Sequence, residues 1–208
     1  MADPLSNFPG ADLRAASLGV RDLDTDLAKM IGENPAAKAA AVANRQAGTD
    51  PALPTGRVAG VLEKALQYRA ARTPNASFYS PDPANACASF VSAVLVEAGV
   101  FAGPIPSPSG SPAPGSEFTR SANTLLATLQ AKRAIPVVQR ASVRDTAALS
   151  RLAPGDLIFW SDGNAPYHHS GVFSGEGRVV SISSGAGTVS QYKLADAGYT
   201  HFTAYRLP

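Results

Sequence analysis

Residues 86–100 read ACASFVSAVLVEAGV, and this stretch decides the fold. Its apolar residues Phe90, Val91, Val94, Leu95 and Ala98 recur at helical spacing, and Gly99 supplies the stop. Cys87 therefore opens a buried helix. Upstream, Val58, Val61, Leu62, Leu66 and Tyr68 form a mostly apolar stripe on a helix that starts at Arg57 and ends before Thr73-Pro74. Residues 75–85 between the two helices are rich in Ser, Pro, Asp and Asn and read as a loop.

Downstream, residues 102–117 (AGPIPSPSGSPAPGSE) hold too much Pro, Ser and Gly to nucleate a helix or fill a strand, which leaves a surface loop or a lid. A third helix fits Ser121 to Arg133, with Leu125, Leu126 and Leu129 on one side, and a fourth, short one fits Val143 to Leu149. The period then changes. Asp156–Trp160, Ser170–Ser174, Arg178–Ser183, Thr188–Tyr192 and Thr200–Arg206 are short, rich in β-branched and aromatic residues, and separated by Gly, Asn and Pro. Helices followed by an antiparallel meander predict an α+β domain, with the N-terminal helices packed on a small antiparallel sheet.

That domain spans residues 56–208. Residues 1–55 are rich in Ala, Pro and Asp, with short helical patterns at Asp22–Met30 and Asn34–Arg45 whose apolar faces are narrow. Ala-rich helices of this kind form by propensity but bury little area alone, so the segment reads as an arm for docking or attachment. With 45% apolar and 16% charged residues in 208, the composition is that of a globular chain. A net charge of +2 without a basic run argues against nucleic acid as a partner. The N-terminal sequence lacks a basic leader followed by an apolar core, and no apolar run is long enough to span a bilayer. Synthesis in the cytoplasm without membrane insertion is expected.

The chain has one cysteine, so no disulfide forms within it. A thiol in the first turn of a helix meets unpaired amides and the positive end of the helix dipole, both of which favour the thiolate. The competing reading of a lone Cys is a small buried apolar residue. A cysteine nucleophile also needs an imidazole in reach. His168 and His169 both stand at a strand start in YHHSGVFSGEGRVV, while His201 lies in the last predicted strand. Adjacent histidines on a strand point to opposite faces, so no metal site and no cofactor is expected.

Three motifs in order, ACASFVSAVLVEAGV, LAPGDLIFW and HHSGVFSGEGRVVSISS, resemble the NlpC-type cell-wall cysteine peptidases and their CHAP amidase relatives, over residues 57–208. The resemblance implies a papain-like fold, Cys87 as nucleophile, and as base the histidine followed by a small residue, Gly and an aliphatic residue, which selects His169. It implies a structural part for Asp156 and places a third residue that orients the imidazole at Ser181, where the family usually has His, Asn or Gln. Serine accepts a hydrogen bond but cannot stabilise an imidazolium as a carboxylate does, leaving Ser183 or a water as further candidates. Ala86-Cys87-Ala88-Ser89 also departs from the family's usual Asp-Cys-Ser-Gly. Tyr79 is the nearest candidate for a family tyrosine near the oxyanion site, and equally a core aromatic beside Phe78.

The activity so implied is hydrolysis of an amide bond in peptidoglycan through a thioester. Delivery to the cell wall is expected from a phage tail, baseplate or injection system through the N-terminal arm, or from lysis. The alternatives are a structural tail or baseplate component that keeps the fold without activity, and a deamidase or acyltransferase of the same fold.

Overall fold

The computed structural model describes residues 57–78, 86–163, 166–182 and 187–208. The expected arm over residues 1–55, Tyr79 and Ser183 lie outside them.

Helix α1 spans Arg57–Ala70 and buries Val61 and Ala65 completely. Arg72 takes φ 50°, which no α-helix continues through, and a single 3-10 turn, Asn75–Phe78, follows within the expected loop. That turn delivers Phe78 into an edge-on trio with Tyr68 and Phe90, ring centroids 5.3–5.9 Å apart.

Helix α2, Ala86–Glu97, carries an unbroken buried run from Ala86 to Leu95. A helix apolar on every side has to lie inside, and α2 does: α1 and α3 (Ala122–Ala131) flank it and the sheet lies beneath. It stops where the sequence predicts. Gly99 has φ 68°, its amide bonds the Val96 carbonyl at 3.0 Å, and the Val100 amide reaches back to Leu95 at 2.8 Å, the reciprocal pair of a Schellman cap. In α3, the Ser121 side chain caps the first turn by accepting from the Thr124 amide, and Leu125, Leu126 and Leu129 are buried as expected.

Among the described residues, six strands form one antiparallel sheet in the order β1-β6-β2-β3-β4-β5. They are β1 Ile135–Ser142, β2 Leu157–Ser161, β3 His169–Gly175, β4 Arg178–Ile182, β5 Val189–Lys193 and β6 His201–Arg206. Five of these fall on predicted strands within about a residue or two. The strand missing from the sequence reading is β1, which holds Pro136 and two register breaks against β6. Alternation sorts the faces: Leu157, Phe159, Val172 and Val180 face the helices, while Ile158, Trp160, Phe173 and Val179 meet Leu194 and Ala148 on the other side. Ala148 belongs to α4, which is only Thr146–Leu149 because Asp145 caps it and the Val143 amide still pairs with Thr200.

The Pro/Ser/Gly-rich segment 102–117 has neither helix nor strand, as expected, but its ends are fastened to each other. The Glu117 amide bonds the Ala102 carbonyl at 2.9 Å, the Glu117 carboxylate accepts from the Ala102 amide at 2.6 Å and pairs with Lys132 at 2.7 Å. Arg120 braces the interior by donating to the carbonyls of Ser107 and Gly110. It is a closed surface loop.

Candidate active site

Two glycines fix the frame of the site. Gly155, at φ 95°, brings the chain into β2 so close to α1 that a Cβ would lie 2.8 Å from Val58 Cγ1. Gly171, in the middle of β3, would meet Val179 Cγ1 at 2.6 Å and both Ser181 Cβ and the Val180 carbonyl at 3.0 Å, so only a glycine lets β4 lie this close to β3. Beside Gly155, the Asp156 side chain is fully buried. It accepts from the Ala153 amide and, in a two-pronged pair at 2.8 Å each, from Arg206 Nε and Nη2. Its part is structural, tying β2 to β6.

At the opposite end of β2 an open cleft of about 590 Å³ is lined by Cys87, Ser121, Asn123, Asp162, Tyr167, His168 and Tyr199 among others. Tyr167 and Asn123 hold the cleft's wall in place: the Asn123 side-chain carbonyl accepts from the Tyr167 amide at 3.2 Å, and the Tyr167 hydroxyl donates to Thr203 at 2.9 Å.

Cys87 is 5% exposed and lies in the first turn of α2. Burial pushes its thiol up; the Ser170 amide and hydroxyl, and the amides of Ala88 and Cys87 itself, oppose this by facing the sulfur. The resting group is therefore a neutral thiol, and Sγ sits 3.9 Å from the His168 carbonyl. Ser170 is fully buried and its hydroxyl makes no hydrogen bond of ordinary geometry. A buried hydroxyl without a partner is costly, and a thiolate at the neighbouring sulfur is the acceptor that would satisfy it.

The Cys87 sulfur thus meets the backbone on either side of His169. The His169 ring opens β3 and stacks on Trp160 and Tyr199, centroids 5.0 and 5.8 Å away. Its Nε2 lies 2.7 Å from the Tyr192 hydroxyl and 3.4 Å from Ser181 Oγ. Burial pushes this imidazole down to about 4, so it is neutral near pH 7. Burial likewise pushes the Tyr192 and Tyr199 phenols up, and for both a charge on Cys87 adds to the effect, which places them around the same centre.

Of the three expected residues, the structure brings His169 and Ser181 within 3.4 Å and sets Cys87 against the two neighbours of His169. His168 is exposed, lines the cleft and stacks on Tyr199 at 6.5 Å. His201 bonds Thr200 at 2.9 Å away from this cleft. Tyr192, Tyr199 and Ser170 were not singled out by sequence. Only Ser170 carried a signal, since the residue after a strand's first histidine points to the opposite face, toward the helix that bears Cys87.

Among the solved structures similar to this chain are two at 17% identity each. The P60 domain of an antigen from M. avium subspecies paratuberculosis matches with a TM-score of 0.41, over 72% of this chain and 96% of that one. The peptidoglycan hydrolase RipB from Mycobacterium tuberculosis matches with a TM-score of 0.42, over 96% of this chain and 92% of that one. No family model matches the chain, and no curated protein sequence does. Among the described residues no helix is long and apolar enough to cross a membrane, and no group of His, Cys, Asp and Glu has the spacing to hold a metal ion.

Proposed function

We propose that this domain is a cysteine hydrolase that cleaves an amide bond of peptidoglycan, with Cys87 as nucleophile and His169 as general base. The observation that carries the reading is a buried thiol in the first turn of α2, faced by backbone amides and by the strand that bears an oriented, neutral imidazole, at the floor of an open cleft. The choice of peptidoglycan rests on the three sequence motifs.

The steps follow from these groups. The His169 imidazole takes the Cys87 proton as sulfur attacks the substrate carbonyl, and the S–C bond forms while the carbonyl π electrons move to oxygen. The amides of Cys87 and Ala88 at the start of α2, and that of Ser170, face the sulfur and are donors available to that oxyanion. The imidazolium then protonates the leaving nitrogen, the C–N bond breaks and a thioester remains. Water, deprotonated by the same imidazole, attacks the thioester; the carboxylic acid leaves and the thiol regains its proton. At rest both groups are neutral, so the thiolate–imidazolium pair forms only as the proton moves from sulfur to the imidazole during attack.

His169 is preferred to His168 because its Nε2 is engaged by Tyr192, whereas His168 stands exposed in the cleft with a ring stack as its support. Attachment to a phage tail or similar particle through residues 1–55 belongs to the same proposal. Purified peptidoglycan incubated with wild type, Cys87→Ala, His169→Ala and His168→Ala tests it, with mass spectrometry of the released fragments. Wild type and His168→Ala release the same fragments, and the other two variants release none. Fragment release by Cys87→Ala removes the mechanism; none from wild type removes the function.

A further inference from the structure

The expected orienter, Ser181, has one hydroxyl proton, and the Ser170 carbonyl takes it at 2.6 Å. Toward His169, Ser181 therefore presents only lone pairs, at 3.4 Å. The shorter contact to Nε2, at 2.7 Å, comes from the Tyr192 hydroxyl on the next strand. The register places Tyr192 opposite Val179, on the same face of the sheet as His169 and Ser181.

Counting protons gives the direction of the contact. If Tyr192 donated to Nε2, an unprotonated Nε2 would face the Ser181 lone pairs and the imidazole proton would sit on Nδ1. If the proton is on Nε2, both hydroxyl oxygens face a donor while Ser181 donates to the Ser170 carbonyl. We propose that Tyr192 is the positioning residue of His169, holding the imidazole as its Nε2–H tautomer beside a Ser181 hydroxyl that is fastened to the Ser170 carbonyl. The inference rests on His169 being the base of the reaction: this tautomer leaves Nδ1 unprotonated, the state in which an imidazole accepts a proton. Ser181 is thereby anchored next to the nucleophile, since Ser170 contributes its carbonyl to Ser181 and its amide and hydroxyl to the sulfur. A phenol in this place carries no charge, so it fixes the tautomer and the ring plane without creating an imidazolium at rest.

The test is the protonation pattern of His169 in the ¹⁵N-labelled full chain at about pH 7, where the ring is neutral, read from two-bond ¹⁵N–¹H correlations. Wild type shows an amine-type Nε2 and a pyridine-type Nδ1. Tyr192→Phe keeps the stacked ring but loses the hydroxyl, and the tautomer ratio falls about tenfold, as for one hydrogen bond. Turnover falls with it: kcat drops about tenfold and KM stays within about twofold, because the ground-state contacts to substrate are intact. Ser181→Ala changes both in the same direction by about threefold. A predominant Nδ1–H tautomer in wild type, or an unchanged ratio in Tyr192→Phe, overturns the assignment. Should Tyr192→Phe fail to fold, the wild-type spectrum decides alone. If wild type cleaves no peptidoglycan while the ratio responds to Tyr192→Phe, the assigned function falls and the positioning role stands.

Discussion

The two ends of β2 handle burial in opposite ways. At the Asp156 end a charge is buried and satisfied, with three donors converging on one carboxylate. At the Trp160 end the titratable groups are buried without opposite charges: Cys87 is pushed up and His169 down, each toward its neutral form. The first arrangement stores its stability in one geometry and has nothing left to react. The second leaves a neutral thiol and a neutral imidazole with no ion pair to hold them, the state from which the proposed proton transfer would start. The difference separates scaffold from chemistry within five residues of one strand.

Breaking the scaffold end has the largest effect on stability. Arg206→Met leaves the Asp156 carboxylate buried without its fork, and destabilisation of about 3 kcal/mol is expected in urea unfolding. The cleft end should respond less to this change than the melting does. Gly171→Ala attacks the boundary between the two ends: the added methyl pushes β4 and Ser181 away from β3, costing about 2 kcal/mol and lowering kcat more than it raises KM. A normal kcat in a folded Gly171→Ala variant would show that the spacing of Ser181 does not matter.

The pH response sharpens the contrast. His169 has a folded value of about 4 against an unfolded value of about 6.5, so between these pH values the unfolded chain holds a proton that the folded chain rejects. Stability is fully present above about pH 6.5 and falls progressively as pH drops toward 4. His169→Gln flattens that slope in unfolding measured across the window. The smallest effect belongs to Ser170→Ala. Loss of its hydroxyl removes one donor to the sulfur, so the thiol is harder to ionise and its alkylation by iodoacetamide at about pH 8 slows a few-fold.

The fold was largely legible because its signals are local. The apolar run after Cys87, the leucines of α3 and the alternating strands from Asp156 onward state their own period. What the sequence hid depends on register and on partners distant in the chain. Tyr192 sits in a predicted strand, but nothing in that strand says that it faces Val179 and not its neighbour, so its approach to His169 needed the structure. Ser181 lies 3.4 Å from His169 Nε2, yet the commitment of its proton to the Ser170 carbonyl is a geometric fact with no local signature. Strand β1 escaped because Pro136, Gln139 and Arg140 interrupt any alternation, and its register against β6 breaks twice.

Those irregularities have a further consequence at the border of the molecule. Among the described residues β1 is the outermost strand on one side of the sheet, and such a border offers unpaired amides and carbonyls to any passing chain. Pro136 removes a donor, the two register breaks bend the strand, and Arg140, at φ 49°, places a cation there. A border bent in this way is a poor straight template for the addition of a further strand.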